Sequence, residues 1–258
     1  MINERASGIL LHPTSFPGKY GVGDLGETAY NFVDFLFETS QKLWQILPLG
    51  SVNESYSPYQ STSAFAGNCL LISLEKLVYD GLLTKADLSN TEKHENRINY
   101  EFAMNVKIPA LRKAYDNFKK VNDFSDYYIF CDENNYWLDD YALFVAVDRY
   151  IKENKDKDGI LREHFNKLDK NFYTDEFCGG MSWNNWPVMY RYGSDTIPII
   201  KNRLAEEISF NKFVQYIFFS QWMQLKKYAN SKGIKIIGDI PMYLSLIHIS
   251  EPTRLLSI

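Results

Sequence analysis

Residues 8–26 read GILLHPTSFPGKYGVGDLG, and this stretch sets the expected start of the fold. The apolar run from Ser7 to Leu11 ends in a segment rich in proline and glycine, which predicts a short strand followed by a long loop. A helix is predicted next, because apolar residues recur at helical spacing: Ala29, Phe32, Val33, Leu36 and Phe37. A second apolar run, LWQILPL at residues 43–49, predicts another strand. Strand, helix and strand at this spacing form a βαβ unit, so we expect a parallel sheet or barrel.

The alternation of strands and helices stops after the second strand and resumes near residue 203. Between Leu70 and Asn202, helical patterns separated by polar linkers predict a largely helical insertion. A further apolar stripe that begins at Phe210 predicts a helix ending near Gly233, and Ile234–Gly238 predicts a third strand. The predicted fold class is α/β: a partial (β/α)8 TIM barrel, represented by its first three strands, with the helical insertion after the second strand. The expected divisions are 1–69 for the start of the barrel, 70–202 for the insertion, 203–244 for a barrel helix and the third strand, and 245–258 for a tail.

Composition excludes several classes of protein. The chain has 258 residues, of which 45% are hydrophobic and 23% charged, as in an ordinary globular protein. Its formal net charge is -4, so it lacks the basic field that would attract a phosphate backbone, and no nucleic acid partner is expected.

The N-terminus has no secretory leader and no apolar run is long enough to span a bilayer, so we expect a cytoplasmic protein without a membrane partner. The widely spaced Cys69, Cys131 and Cys178 indicate neither a disulfide framework nor a zinc site, and no metal or cofactor is assigned.

The segment from Gly21 to Gly26 has the G-x-G-x-x-G spacing of a dinucleotide-binding loop and precedes a predicted helix. This spacing raises the alternative of a nicotinamide-dependent oxidoreductase. Two features argue against that alternative. A dinucleotide loop turns tightly from its strand, whereas residues 12–20 intervene here, and the second strand does not end in the acidic residue that would bind the ribose.

Three residues near the predicted strand ends are candidates for ligand binding. Tyr59 lies just beyond the predicted second strand. A tyrosine ring can pack on a sugar while its hydroxyl keeps a polar partner. A tyrosine that serves the core or a turn also fits this position. Asp239 follows the third strand, where its carboxylate would contact a sugar hydroxyl or an arginine, or order a loop as a cap. His12 follows the first strand and could donate to a hydroxyl, although a lone histidine more often has a structural role.

Two pairs of residues inside the predicted insertion need separate interpretation. The adjacent Asp139 and Asp140 could pass for a catalytic pair, but consecutive helical residues point in different directions, so we expect ion-pairing or helix-start roles. Trp183 and Trp186 are expected to pack the insertion and not to form sugar platforms.

Several stretches of this sequence resemble one enzyme family: residues 8–26, LWQILPLG at 43–50, SPYQSTSAFAGN at 57–68, WLDDYALF at 137–144 and WNNWP at 183–187. The family is the amylomaltases, the bacterial 4-alpha-glucanotransferases of glycoside hydrolase family 77. The resemblance implies transfer of α-1,4-linked glucan segments to glucose or another glucan through a covalent glycosyl-enzyme intermediate, with α-1,4-glucans and maltooligosaccharides as ligands. It also implies that Tyr59 stacks on a sugar, that Ser57 belongs to a neighbouring subsite, and that Asp239 contacts sugar beside the cleaved bond.

The resemblance ends before any catalytic residue. Retaining glucan transfer needs two carboxylates about 5–5.5 Å apart; in the family these residues follow the third strand beyond the matching region, so none is assigned here. Residues 245–258, SLIHISEPTRLLSI, do not resemble the family, and we expect a truncation or frame change with a non-native tail and a chain that is inactive alone. The alternatives that stay open are a non-catalytic maltooligosaccharide-binding module and the oxidoreductase considered above.

Overall fold

A computed structural model describes residues 5–52, 56–89, 97–121, 123–154, 156–167, 183 and 186–241. These residues form two compact units. The first unit contains the described residues within Met1–Leu49, Gly67–Ser125 and Val214–Ile240, and the second contains those within Gly50–Ala66, Asp126–Phe213 and Pro241–Ile258. The tail predicted at 245–258, Cys178 and the two asparagines of WNNWP lie outside the described residues. The division into barrel and insertion segments made from the sequence stays a prediction.

Three strands and eight helices lie among the described residues. In chain order they are β1 (Gly8–Leu10), α1 (Glu27–Glu38), β2 (Leu43–Gln45), α2 (Leu74–Tyr79), α3 (Tyr100–Phe118), α4 (Ser125–Glu133), α5 (Asn135–Asn154), α6 (Gly159–Lys167), α7 (Ile197–Arg203), α8 (Ala205–Ser231) and β3 (Lys235–Ile237). Short 3-10 turns occupy Pro13–Ser15, Cys69–Leu71, Lys85–Leu88 and Val188–Tyr190. The predicted strands and the helices predicted from the apolar stripes are therefore present, with helices prevailing between β2 and β3.

The strands form one parallel sheet in the order β1-β2-β3. Ile9, Trp44 and Ile236 are register partners on one face of the sheet, where Trp44 is completely buried. Leu10, Gln45 and Ile237 are register partners on the opposite face, and all three are exposed. The prediction of a parallel α/β arrangement is confirmed. Among the described residues, side chains cover the Trp44 face of the sheet and leave the opposite face exposed.

The covered face of the sheet packs against α1. Ala29, Val33 and Leu36 form the buried stripe of this helix. The ring of Phe32 on the same helix lies 5.4 Å from that of Trp44 in an edge-on contact, and the Trp44 indole donates a 2.8 Å hydrogen bond to the carbonyl of Leu11. The ring of Trp44 therefore fills the core, and its indole N–H holds the segment that follows β1 in place.

Lys107 on α3 is a fully buried lysine of the first unit. Its ammonium donates three hydrogen bonds of 2.8 Å, to Asp24 Oδ2 and to the carbonyls of Leu70 and Ile72. Since an ammonium has three donors, all of them are satisfied. The other oxygen of Asp24 accepts from the N–H of Gly26 at the start of α1. This cluster joins α3 to the chain segments that precede α1 and α2.

The second unit has its own aromatic core. Trp183 and Trp186 are buried and lie 4.9 Å apart, edge to face, while Phe144 on α5 stacks on Trp186 at 5.0 Å. The side chain of Arg191 donates to the carbonyl of Trp186 at 2.8 Å. The expectation that both tryptophans serve packing is confirmed.

Candidate functional site

The carboxyl ends of parallel strands meet at one edge of a sheet, where ligand sites of α/β proteins are built. In the first unit His12 follows β1, Leu47 follows β2 and Asp239 follows β3. Asp239 is exposed, and its Oδ1 accepts a 2.8 Å hydrogen bond from the N–H of Ile240. This contact orients the carboxylate at the strand end, while solvent exposure leaves it accessible to a polar ligand.

His12 is buried at the same edge and is neutral at physiological pH. Burial lowers its pKa to about 4, against the opposing effect of a hydrogen bond to the Leu47 backbone. Nδ1 has no hydrogen-bond partner among the described residues, so Nε2 is the nitrogen that donates to the Leu47 carbonyl. The imidazole thus links the two chain segments that leave β1 and β2, and this contact gives His12 a structural role.

Ser57 and Tyr59 lie together in one tight turn of the second unit. The N–H of Gln60 donates to the Ser57 carbonyl at 3.1 Å, and the N–H of Tyr59 lies 3.4 Å from the Ser57 hydroxyl oxygen. Ser57 therefore shapes the turn, and Tyr59 within it is half-buried. The turn brings these two predicted site residues together, whereas Asp239 belongs to the first unit.

The segment 50–66 that carries this turn has internal support. Val52 and Ser61 form an antiparallel bridge, and the N–H of Ser51 donates to the carbonyl of Ala66 at 2.9 Å. Ser63 is buried, and its hydroxyl accepts from the N–H groups of Phe65 and Ala66 at 3.1 and 3.0 Å. We call the described residues of this segment, 50–52 and 56–66, the tyrosine loop.

Two buried glutamines on α8 contact the segment that follows the tyrosine loop. Gln215 accepts from the N–H of Gly67 at 2.8 Å and donates to its carbonyl at 3.0 Å. Gln221 makes the same pair of bonds with Ser73, at 2.8 and 3.1 Å. The sequence does not mark either residue as buried, because α8 carries many other polar and charged side chains and no local pattern separates these two glutamines from them.

The adjacent aspartates of α5 have different partners, as expected for consecutive helical residues. Lys212 forms an ion pair with Asp139, and the hydroxyl of Tyr192 lies 3.3 Å from Asp140 Oδ2. The expected ion-pairing role is confirmed for Asp139.

Among the residues that the structure describes, His, Cys, Asp and Glu do not gather in any group of three or more that could hold a metal ion. Within the same ranges, none of the helices combines the length and apolar character needed to cross a bilayer.

The glycine pattern at residues 21–26 is explained by contacts within the chain. A Cβ on Gly21 would lie 2.6 Å from the carbonyl oxygen of Asn99, and one on Gly23 would lie 2.3 Å from that of Pro13. Gly21 also has a φ of +81°, which favours glycine. The glycines therefore permit close approach of the chain to itself, and this explanation requires no bound dinucleotide.

Comparison with known proteins identifies the family of the chain. The family described as 4-alpha-glucanotransferase, glycoside hydrolase family 77, matches residues 11–246. The 4-alpha-glucanotransferase of Clostridium butyricum is 42% identical over 238 residues, which cover 91% of this chain and 43% of that protein. The corresponding protein of Streptococcus pneumoniae is 36% identical over 249 residues, covering 95% of this chain and 44% of its own length.

Two solved structures are similar as well. The amylomaltase from Streptococcus agalactiae in complex with acarbose has a TM-score of 0.76 and 36% identity, over 93% of this chain and 44% of its own. The amylomaltase from Corynebacterium glutamicum, at 15% identity, has a TM-score of 0.60 over 92% of this chain and 30% of its own, and shows a likeness of fold alone. The chain spans less than half the length of these curated relatives. On the family match and these identities, the chain belongs to the 4-alpha-glucanotransferases of glycoside hydrolase family 77.

Proposed function

We propose that this chain supplies part of the glucan-binding site of a 4-alpha-glucanotransferase, which transfers α-1,4-linked glucan segments to glucose or another glucan. The observation that carries the proposal is the family match over residues 11–246. The likeness to an amylomaltase in complex with acarbose supports α-1,4-glucans and maltooligosaccharides as the ligands. We also propose that the protein is located in the cytoplasm.

The sheet belongs, in this proposal, to a (β/α)8 barrel. Purely parallel sheets occur almost only with both faces covered. Here α1 packs on the Trp44 face, while Leu10, Gln45 and Ile237 are exposed on the other face. In a barrel this second face turns inward and packs against the side chains of the remaining strands.

Tyr59, Ser57 and Asp239 are the proposed substrate-binding residues. A half-buried tyrosine in a tight turn can place its ring against the apolar face of a glucose unit without a large loss of side-chain entropy. Ser57 orders that turn, and the exposed carboxylate of Asp239 can accept hydrogen bonds from sugar hydroxyls. None of the three is assigned to the chemical step.

Disproportionation of maltotriose tests the proposal. The protein expressed from its complete coding sequence should form glucose and longer maltooligosaccharides, and Tyr59→Ala and Asp239→Asn should each lower kcat/KM at least tenfold, which corresponds to about 1.4 kcal/mol. Tyr79→Ala and Asp195→Asn are matched controls, since both residues are exposed and lie outside the proposed site. Unchanged kcat/KM in both site variants would remove the residue assignments.

The same protein serves to test the alternative that the chain belongs to a maltooligosaccharide-binding module without transferase activity. Maltotriose affinity measured by calorimetry, together with no conversion of maltotriose, would replace the transferase proposal by that alternative. The 258-residue chain assayed in parallel tests the expectation that it is inactive alone.

A further inference from the structure

The chain segments on either side of the tyrosine loop are held by contacts within the first unit. The chain leaves this unit after Leu49 and returns to it at Gly67. The N–H of Asn68 donates to the Leu49 carbonyl at 2.9 Å, so the departing and returning segments are joined. Gly67 packs closely on α8, because a Cβ at this position would lie 2.1 Å from the ring of Phe218.

Gln215 defines the orientation of the returning segment. Its amide makes the reciprocal pair of bonds with the N–H and the carbonyl of Gly67 described above, at 2.8 and 3.0 Å. Because two bonds join the amide to one residue, they fix the orientation of the Gly67 backbone as well as its distance from α8. A hydrogen-bonded residue pair in an antiparallel ladder is fixed in the same way. Gln215 is 1% exposed, so water does not compete for either bond.

Gln221 provides an internal comparison. It lies on the same helix, is 2% exposed and makes the same pair of bonds, but with Ser73. Ser73 precedes α2 and is six residues farther along the chain from the tyrosine loop than Gly67. The two glutamines therefore share their chemistry and burial and differ in what they fix.

We propose that Gln215 is a positioning residue for glucan binding, because it fixes the returning end of the tyrosine loop and thereby the placement of Tyr59 against the sugar. The proposal rests on the proposed function of Tyr59. Gln221 stabilises the same unit without acting on the loop end. A loss of the Gln215 bonds should thus affect substrate binding, whereas a loss of the Gln221 bonds should affect stability alone.

The first test compares Gln215→Leu with Gln221→Leu in the protein from the complete coding sequence. Both variants should lower Tm by similar amounts, since each loses the same two buried bonds. Gln215→Leu should also raise KM for maltotriose about tenfold with a smaller change in kcat, whereas Gln221→Leu should leave KM within twofold of the wild type. Equal KM values in the two variants would overturn the proposal.

A double-mutant cycle tests the route through Tyr59. If Gln215 acts by placing Tyr59, Gln215→Leu should not raise KM further in a Tyr59→Ala background. Independent, multiplying effects on KM would contradict this route. If Tyr59→Ala alone leaves KM unchanged, the proposed function of Tyr59 fails; an effective Tyr59→Ala with an ineffective Gln215→Leu removes the positioning role only.

The variant Gln215→Glu keeps the test available if the leucine variants do not fold. A protonated carboxyl group has the same donor and acceptor as an amide and can keep both bonds to Gly67, whereas the ionised form repels the Gly67 carbonyl. Burial raises the pKa of such a carboxyl group above its ordinary value. KM of Gln215→Glu should therefore match the wild type at low pH and exceed it increasingly as pH rises, and KM of Gln221→Glu should follow the wild type throughout. A pH profile shared by both glutamate variants would refute the positioning role.

Discussion

Replacement of Lys107 by methionine should be among the most destabilising single changes in the first unit. The ammonium is fully buried and donates 2.8 Å hydrogen bonds to Asp24, Leu70 and Ile72. Methionine preserves much of the apolar volume of the side chain but has no donor. The substitution therefore isolates the polar contribution of the cluster.

The expected loss follows from the groups that remain behind. Removal of one partner of a buried ion pair costs about 3–5 kcal/mol. Asp24 keeps its bond from Gly26 and is 15% exposed, which favours the lower end of that range. The carbonyls of Leu70 and Ile72 each lose a charged donor, at about 1 kcal/mol apiece. The free energy of unfolding should thus fall by about 5 kcal/mol, a large part of the 5–15 kcal/mol that is usual for a folded protein.

Urea unfolding followed by circular dichroism at pH 7 measures this loss. Lys212→Met is the matched control, because Lys212 pairs with Asp139 at a partly exposed position where an ion pair contributes at most about 1 kcal/mol. A loss for Lys107→Met below about 2 kcal/mol, or one equal to that of the control, would refute the assignment of stability to the buried cluster.

The pH dependence of the variant gives a second check. Burial raises the pKa of Asp24, and Lys107 opposes this effect. Without Lys107 the folded-state pKa of Asp24 rises further above its unfolded value, so the folded state binds the additional proton. Stability of the variant should then fall as pH rises between these two pKa values. The difference between variant and wild type should accordingly be smaller at pH 5 than at pH 8.

Three further outcomes are expected. Gly67→Ala should lower the free energy of unfolding by about 1–3 kcal/mol, because its Cβ would lie 2.1 Å from the Phe218 ring, whereas Gly159→Ala, with nothing within 4 Å, should change it little in the same urea experiment. Burial raises the pKa of the half-buried Cys69 thiol from 9.0 to about 11, so mass spectrometry should find that iodoacetamide modifies this thiol much more slowly at pH 8 in the folded protein than after unfolding in urea, and equal rates would contradict this assignment. The pKa of His12 falls from 6.5 in the unfolded chain to about 4 on burial, so stability should decrease as pH drops through that interval, and His12→Gln should abolish this part of the pH dependence; an unchanged profile would exclude His12 as its source.

The elements that sequence analysis predicted correctly are those that depend on local periodicity. The stripe of α1 and the apolar strand segments follow from residues close together in the chain. The end of β2 was harder to predict, since the apolar run continues to Leu49 while the strand ends at Gln45. The structure explains the difference. The chain after β1 turns away at Pro13–Ser15, and the side chain of His12, not a backbone group, then bonds to Leu47.

The polar clusters could not be predicted from local pattern, because their partners are distant in sequence. Gln215 and Gln221 each lie 148 positions from the residue they bond, and Lys107 lies 83 positions from Asp24. A glutamine or lysine in a helix ordinarily indicates a solvent-exposed position. Asp239 lies directly after β3, as the general rule for ligand sites of parallel sheets predicts. Tyr59 lies in the second unit, and its role as a site residue is what the family resemblance implies.

The buried polar side chains share one physical task. Segment 67–73 lies inside the first unit without a strand partner along its length, so its buried backbone groups need other hydrogen-bond partners. Gln215 satisfies Gly67, Lys107 satisfies the carbonyls of residues 70 and 72, and Gln221 satisfies Ser73. Together with backbone bonds such as that from Asn68 to Leu49, these side chains give the irregular segment the partners that buried backbone groups need. Since the tyrosine loop returns into this segment, the helices α3 and α8 that supply those side chains determine where the proposed glucan-binding loop is attached.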